Sequence, residues 1–226
     1  MLTDMAKKIR VDIIEMLCSA GSGHSGGSLS MADVFAYLYF SGRFKLGLEY
    51  LKNPSRDRVV LSKGHACPVL YAALAEKGYF DKSYLLTLRK YGSILQGHPD
   101  MNKTPGVEIT TGSLGQGLSC AVGMAIGTKL DSLDSKIFVI LGDGECDEGQ
   151  VWEAAMAGSH YKLSNIIAIV DRNGLQIDGY TKDIMNTEPL VDKWSSFGWE
   201  VFEINGHDFN EIENSINRAL ATKEKP

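Results

Sequence analysis

Apolar residues at Met5, Ile9, Ile13, Met16, Leu17 and Ala20 recur at intervals of three and four, which predicts an amphipathic helix capped by Thr3 and stopped by Gly21 and Gly23. A loop, GSGHSGGS, follows. Ser30 with Asp33 three residues on has a capping-box pattern, and Met31, Val34, Phe35, Leu38 and Tyr39 make one buried helix face. Beyond a polar stretch at Asn53–Arg58, Val59–Leu61 reads as a short strand leading into the loop SKGH. Pro68 suits the first turn of a helix over Val69–Lys77. Residues 82–91 also read as helical, and 92–114 as a long loop carrying QGHPD and TTGSLGQG. In Gly115–Lys129 the small residues Gly117, Ala121 and Ala125 form one stripe, and Ser119, Gly123 and Gly127 another. Such a helix packs closely on a neighbour, in the core by default or across a subunit contact.

The second half changes character. Ile137–Leu141 and Ile166–Val170 are continuous apolar runs, the mark of strands buried on both faces of a parallel sheet. Helices are expected over Gln150–Tyr161 and Glu211–Ala221, with a third strand at Val201–Ile204. Strands alternating with helices predict an α/β fold, a parallel sheet flanked by helices, in one domain over residues 1–226. No internal repeat or low-complexity tract interrupts it.

Composition narrows the class. A hydrophobic fraction of 44% and a charged fraction of 23% exclude a disordered or fibrous chain. A formal charge of −5 argues against nucleic acid as a partner. No apolar run reaches the roughly 18 residues of a membrane helix, and the amphipathic start does not resemble a signal peptide. Cys18, Cys67, Cys120 and Cys146 show no paired spacing and read as reduced thiols of a cytoplasmic protein. The 24 glycines exceed the usual share of about 7% and gather beside histidines and acids.

The two apolar strands run into Gly142-Asp143-Gly144 and Asp171-Arg172-Asn173-Gly174. Asp143 and Asn173 stand 30 residues apart, about one βαβ unit, so both fall at one carboxyl edge of the sheet, where open α/β folds bind ligands. A carboxylate and an amide oxygen there suit a hard divalent cation, and Gly144 lets the backbone approach an anion such as a diphosphate. The bland alternative is a pair of turns built from turn-forming residues. An EF-hand is excluded, because Glu148 holds its glycine position and Ala154 its final glutamate position.

Four of the five histidines directly follow glycine: His24, His65, His98 and His207. The first three lie in loops beside helix starts, where an imidazole can project into a cleft for proton transfer or polar contact. His160 and His207 read as structural. Gly21, Gly23 and Gly26 match a dinucleotide fingerprint, and Gly23–Gly27 a nucleophile elbow around Ser25, but both lack the strand that must precede them.

Together SGHSGGSLS, LSKGHACPVLYAAL, LQGHPD, TTGSLGQGLS, GDGECDEGQVWEA and DRNGLQIDG resemble the N-terminal, diphosphate-binding half of transketolases, in the family's order over about residues 19–179. The resemblance implies a thiamine diphosphate-binding fold and two-carbon ketol transfer between phosphorylated sugars. Thiamine diphosphate would be held through Mg²⁺ or Ca²⁺ on Asp143, Asn173 and the main-chain carbonyl of Leu175. It further implies that Gly144 and His65 face the diphosphate, that Gly112 and Leu114 border the thiamine, and that Ile177 packs on its rings. His24 and His98 would contact substrate hydroxyls and carbonyl and assist proton transfer, with His65 nearby. Glu148 and Glu153 resemble acids at the family's subunit interface, Glu148 counting with both the catalytic and the cofactor-binding residues.

The chain resembles the small subunit of a split transketolase. The partner implied is a C-terminal subunit carrying the pyrimidine-binding domain and its activating glutamate, in a homo- or hetero-oligomer, without nucleic acid or membrane. The family's half-chain continues through a lysine/glycine-rich strand and another histidine where this sequence reaches Lys225-Pro226, so a missing last segment and an inactive isolated chain are expected. Rival readings are a deoxyxylulose-phosphate synthase, a 2-oxoacid dehydrogenase α subunit, or a non-catalytic module of the same fold.

Overall fold

A computed structural model describes all 226 residues. Three parallel strands, β1 (Arg58–Leu61), β2 (Ile137–Gly142) and β3 (Ile166–Asp171), form one sheet in that order. β2 lies in the centre and all six of its residues are buried, as its unbroken apolar run requires. Alternation along it separates two cores. Phe138 and Ile140 enter the one built with α1 (Leu2–Ala20), α3 (Ala32–Phe40), α4 (Cys67–Glu76) and α9 (Phe209–Ala221). Ile137, Val139 and Leu141 enter the other, with α5 (Gln116–Leu130) and α6 (Gly149–His160). The sheet is therefore covered on both faces by helices.

Local chemistry explains the joints. α1 ends at Gly21, whose φ of 62° lets its N–H return to the carbonyls of Leu17 and Cys18. On α5 the stripe Gly117, Ala121 and Ala125 is buried. A Cβ on Gly117 would lie 2.6 Å from the Cα of Ser62, so glycine sets how closely the helix approaches the end of β1. The second stripe differs, since Gly123 and Gly127 face open space. No helix is long and apolar enough to cross a membrane, and all four cysteines are unpaired.

Several expectations are corrected. Thr3 lies inside α1, whose N-cap is Met1. The Gly21–Ser28 loop contains a one-turn helix, α2 (Gly26–Leu29). Ser30 caps nothing: its hydroxyl is drawn to the Asp171 carboxylate, and α3 starts two residues later without a side-chain cap. Residues 82–91 give only a 3₁₀ turn at Lys82–Thr87, opened by Asp81, whose carboxylate accepts from the Ser83 N–H. Val201–Ile204 is no strand. No ladder joins it to β3, and both segments line one cavity of about 460 Å³. A hairpin of β4 (Leu175–Gln176) and β5 (Gly179–Tyr180), then α7 (Thr181–Ile184) and α8 (Leu190–Ser196), fill the region after β3.

Candidate active site

Parallel register places Leu61 beside Ile140 and Gly142 beside Asp171, so the loops after all three strands leave one carboxyl edge. There the Asp143 N–H donates to the Asp171 carbonyl at 3.1 Å. The Asp143 carboxylate is buried and accepts from the N–H groups of Gly144 (2.9 Å) and Gly174 (2.8 Å). Burial raises its pKa above the ordinary 3.8, the two backbone donors opposing and the nearby Asp171 charge adding. The Gly174 bond draws the second loop onto the first, and Asn173 comes with it. The Asn173 side-chain oxygen accepts from the Leu175 N–H at 2.9 Å, while its NH₂ donates to the Asp171 carboxylate at 3.0 Å.

The Asp143 carboxylate and the Asn173 amide oxygen thus stand on two loops tied by one hydrogen bond, with the Leu175 main chain adjoining Asn173, and such oxygens are the hard donors that Mg²⁺ and Ca²⁺ take. Each side-chain oxygen keeps a lone pair beyond its backbone partner. No group of three or more His, Cys, Asp or Glu side chains is by itself arranged to hold a metal ion. At the hairpin tip Ile177 has φ 52°, a rare conformation for a β-branched residue, and leaves its side chain 91% exposed. Gln176, beside it, donates to Asp147 at 2.8 Å and packs so tightly on Gly144 that a Cβ there would lie 2.9 Å from its Cγ. Glycine at 144 is thus required by the neighbouring hairpin as well as by any anion approaching the backbone.

Three of the four glycine-preceded histidines, His24, His65 and His98, come together from three loops. The rings of His24 and His65 meet edge to face with centroids 5.2 Å apart. His98 is held by its neighbours: the Tyr71 hydroxyl donates to its carbonyl at 3.1 Å, and Pro99 O accepts from the Thr111 N–H at 3.2 Å. A Cβ on Gly112 would meet the His98 ring at 3.1 Å, and one on Gly64 would meet the Gly112 N at 2.8 Å. These two glycines let the His65 and His98 loops close on each other. Leu114 is half-buried just beyond.

Burial depresses the His65 imidazole from 6.5 to about 4, helped by the charges of Lys63, His24 and His98 and opposed by Asp171. His98 is lowered too, by burial, then Arg89 and His24. His65 is therefore a neutral imidazole at physiological pH. Its folded pKa lies below its unfolded one, so the unfolded chain binds more protons between 6.5 and about 4, and stability is lost as pH falls through that window. In an NMR titration the His65 ring signals are expected to hold their neutral positions down to pH 5; a midpoint near 6.5 would contradict this environment.

Three charged residues that motif reading passes over build this edge. Lys63 is 1% exposed and pairs with Asp171, which also accepts from Ser30 and Asn173; the Lys63 ammonium donates besides to the Gly27 carbonyl at 2.9 Å. Glu145, also buried, accepts from Ser62, from Gly115 N (2.9 Å) and from Gly142 N (3.1 Å). A lysine in a polar loop reads as solvated, and Lys63 meets a partner 108 residues away, beyond any periodicity. The available signal was a cation directly after a buried strand. Glu148, the N-cap of α6, and Glu153, within the helix, are both exposed. Glu148 packs on the start of α5, where a Cβ on Gly115 would lie 3.1 Å from the Glu148 Cβ. His160 packs on Tyr161 and His207 bonds Asp33, both structural roles.

Residues 2–226 match the family model described as "Transketolase, thiamine diphosphate binding domain". The chain is 49% identical over 225 residues to the 6-deoxy-6-sulfo-D-fructose transketolase subunit SqwG of Clostridium sp. (strain MSTE9), covering all of this chain and 82% of that one. It is 44% identical to an apulose-4-phosphate transketolase subunit of Phocaeicola vulgatus, over 98% of this chain and 78% of the relative. The transketolase of Pichia stipitis in complex with sedoheptulose 7-phosphate superposes with a TM-score of 0.93 at 33% identity, over the whole of this chain and 35% of the other. The chain thus spans about a third of that transketolase.

Proposed function

This chain belongs to the transketolase family, whose thiamine diphosphate-binding domain it carries, and from that premise we propose that it is the N-terminal subunit of a two-chain transketolase. It transfers a two-carbon ketol unit between sugars ending in an anionic group, and it works only with a partner chain that supplies the pyrimidine-binding domain. The observation that carries the reading is the convergence at one sheet edge of Asp143 and Asn173 with His24, His65 and His98, joined through the Lys63–Asp171 pair. The names of the two subunit relatives, one for a sulfonated and one for a phosphorylated sugar, support the anion-ended substrate class. The four unpaired cysteines suit a reducing cytoplasm.

In this reading Asp143, Asn173 and the Leu175 carbonyl hold Mg²⁺ or Ca²⁺, which balances the charge of the diphosphate. Gly144 and the neutral His65 line the diphosphate, and Gly112, Leu114 and Ile177 border the rings. Thiamine diphosphate, when bound, supplies the carbanion chemistry. The protein orients the sugar: His24 and His98 donate to its hydroxyls and carbonyl oxygen and carry protons to and from them. Glu148 and Glu153, exposed on α6, face the partner chain and couple Glu148 to the cofactor across it.

Calorimetric titration of thiamine diphosphate, with Mg²⁺ or with a chelator, alone and with a candidate partner chain, tests the proposal. Binding that needs the metal and tightens with the partner is expected, followed by product from xylulose 5-phosphate and an aldose phosphate. A folded pair that binds no cofactor refutes it; a pair that binds cofactor yet consumes pyruvate instead assigns a different thiamine-dependent reaction.

A further inference from the structure

Asp171 ends β3 between the two halves of the site. One of its oxygens, Oδ2, is a meeting point: it accepts from the Lys63 ammonium, the Ser30 hydroxyl and the Asn173 NH₂, the last at 3.0 Å. Lys63 alone would neutralise this part-buried carboxylate. The third bond does something else. A primary amide has two unlike ends, and only its oxygen can face a cation. Rotating Asn173 by half a turn would aim its NH₂ at the metal position instead. The bond to Asp171 excludes that rotamer, because it would bring the amide oxygen against a carboxylate. The Leu175 N–H, donating to the same amide oxygen at 2.9 Å, favours the same orientation from the other end.

We propose that Asp171 is a positioning residue for the cation site: it selects the amide orientation that turns the Asn173 oxygen outward, and through Lys63 and Ser30 it ties that orientation to the loops of His24 and His65. Such outer partners of metal ligands fix ligand direction, and their loss usually costs about 10–100-fold in metal affinity. The assignment rests on the proposed role of Asn173 as a cation ligand. Neither the spacing of the motifs nor the donor chemistry of Asp143 and Asn173 requires it.

The probe is Mn²⁺, measured by loss of its free EPR signal in the presence of thiamine diphosphate, with circular dichroism as the control for folding. Wild-type protein that takes up no Mn²⁺ even with its partner chain added overturns the cation reading itself, and this assignment with it. With binding established, three variants decide. Asn173→Asp adds negative charge and offers two oxygens, so a ligand acting alone would hold Mn²⁺ as well or better. Facing Asp171, it is expected to bind about tenfold more weakly or worse. Asp171→Asn is expected to lose a similar factor. The exchange Asp171→Asn with Asn173→Asp rebuilds the donor–acceptor pair in reverse and is expected to recover most of the loss, a rescue that a merely structural carboxylate would not produce. Undiminished Mn²⁺ affinity in Asn173→Asp overturns the proposal, even if Asp171→Asn fails to fold. So does an exchange variant no better than Asn173→Asp.

Discussion

Replacing Asp143 by alanine is expected to abolish metal-dependent binding of thiamine diphosphate while the chain stays folded. The carboxylate is the only full negative charge among the proposed donors, the others being an amide and a main-chain carbonyl. Its removal should cost more than the roughly 10–100-fold that follows loss of an outer partner. The fold should survive because the side chain contributes two hydrogen bonds, from Gly144 and Gly174. Each is worth about 0.5–1.5 kcal/mol net, and burial of a charge with a raised pKa offsets part of that gain. Asp143→Asn separates charge from geometry, since its oxygen can keep one of the two backbone bonds. It should bind cofactor more weakly than wild type but better than the alanine variant. Calorimetry with Mg²⁺ and with a chelator reads both. Unchanged metal-dependent affinity in Asp143→Ala would remove Asp143 from the cation site.

What could be read in advance follows from the range of each interaction. The run Ile137–Leu141 declares a parallel strand buried on both faces, which leaves no polar position, whereas the similar run Ile166–Val170 forms the edge strand and is only half-buried beyond Ile167. Once two such strands are joined through one helix, chain connectivity alone brings Asp143 and Asn173 to the same edge. The glycine before each loop histidine was also visible, and Gly64 and Gly112 turn out to permit the close approach of those loops. Interactions set by tertiary partners were not visible. Ser30 carries a capping pattern, yet a part-buried carboxylate 141 residues away is the stronger acceptor, and it takes the hydroxyl from the helix end. Val201–Ile204 has strand-like residues, yet no ladder joins it to the open edge of β3. Ile177 in a left-handed conformation breaks a local preference that only the two-residue strands of its hairpin impose.

Glu145 belongs to the same hidden class, and its removal should have the largest effect on stability. It is 2% exposed and collects donors from three elements: the Ser62 hydroxyl after β1, Gly142 N at the end of β2, and Gly115 N at the start of α5. Burial raises its carboxyl above the ordinary 4.5, the three donors opposing. Glu145→Ala leaves all three donors facing a void. At about 1–3 kcal/mol for each buried group left unpaired, with partial relaxation, a loss of about 3–5 kcal/mol is expected. That is a large part of a typical stability of about 5–15 kcal/mol. Glu145→Gln is the discriminating control. Its single oxygen can still accept from Ser62 and Gly115, but its NH₂ then opposes the Gly142 N–H, so a loss of only about 1–3 kcal/mol is expected. The pH dependence adds a second signature. The folded chain holds the Glu145 proton more tightly than the unfolded one, so its contribution declines as pH rises from 4.5 through the raised folded value, and Glu145→Gln should remove that slope. Urea unfolding followed by the fluorescence of Trp152, Trp194 and Trp199 measures all of this. If Glu145→Ala unfolds within about 1 kcal/mol of wild type, neighbouring groups or water satisfy those donors, and the strand ends are held by backbone packing instead.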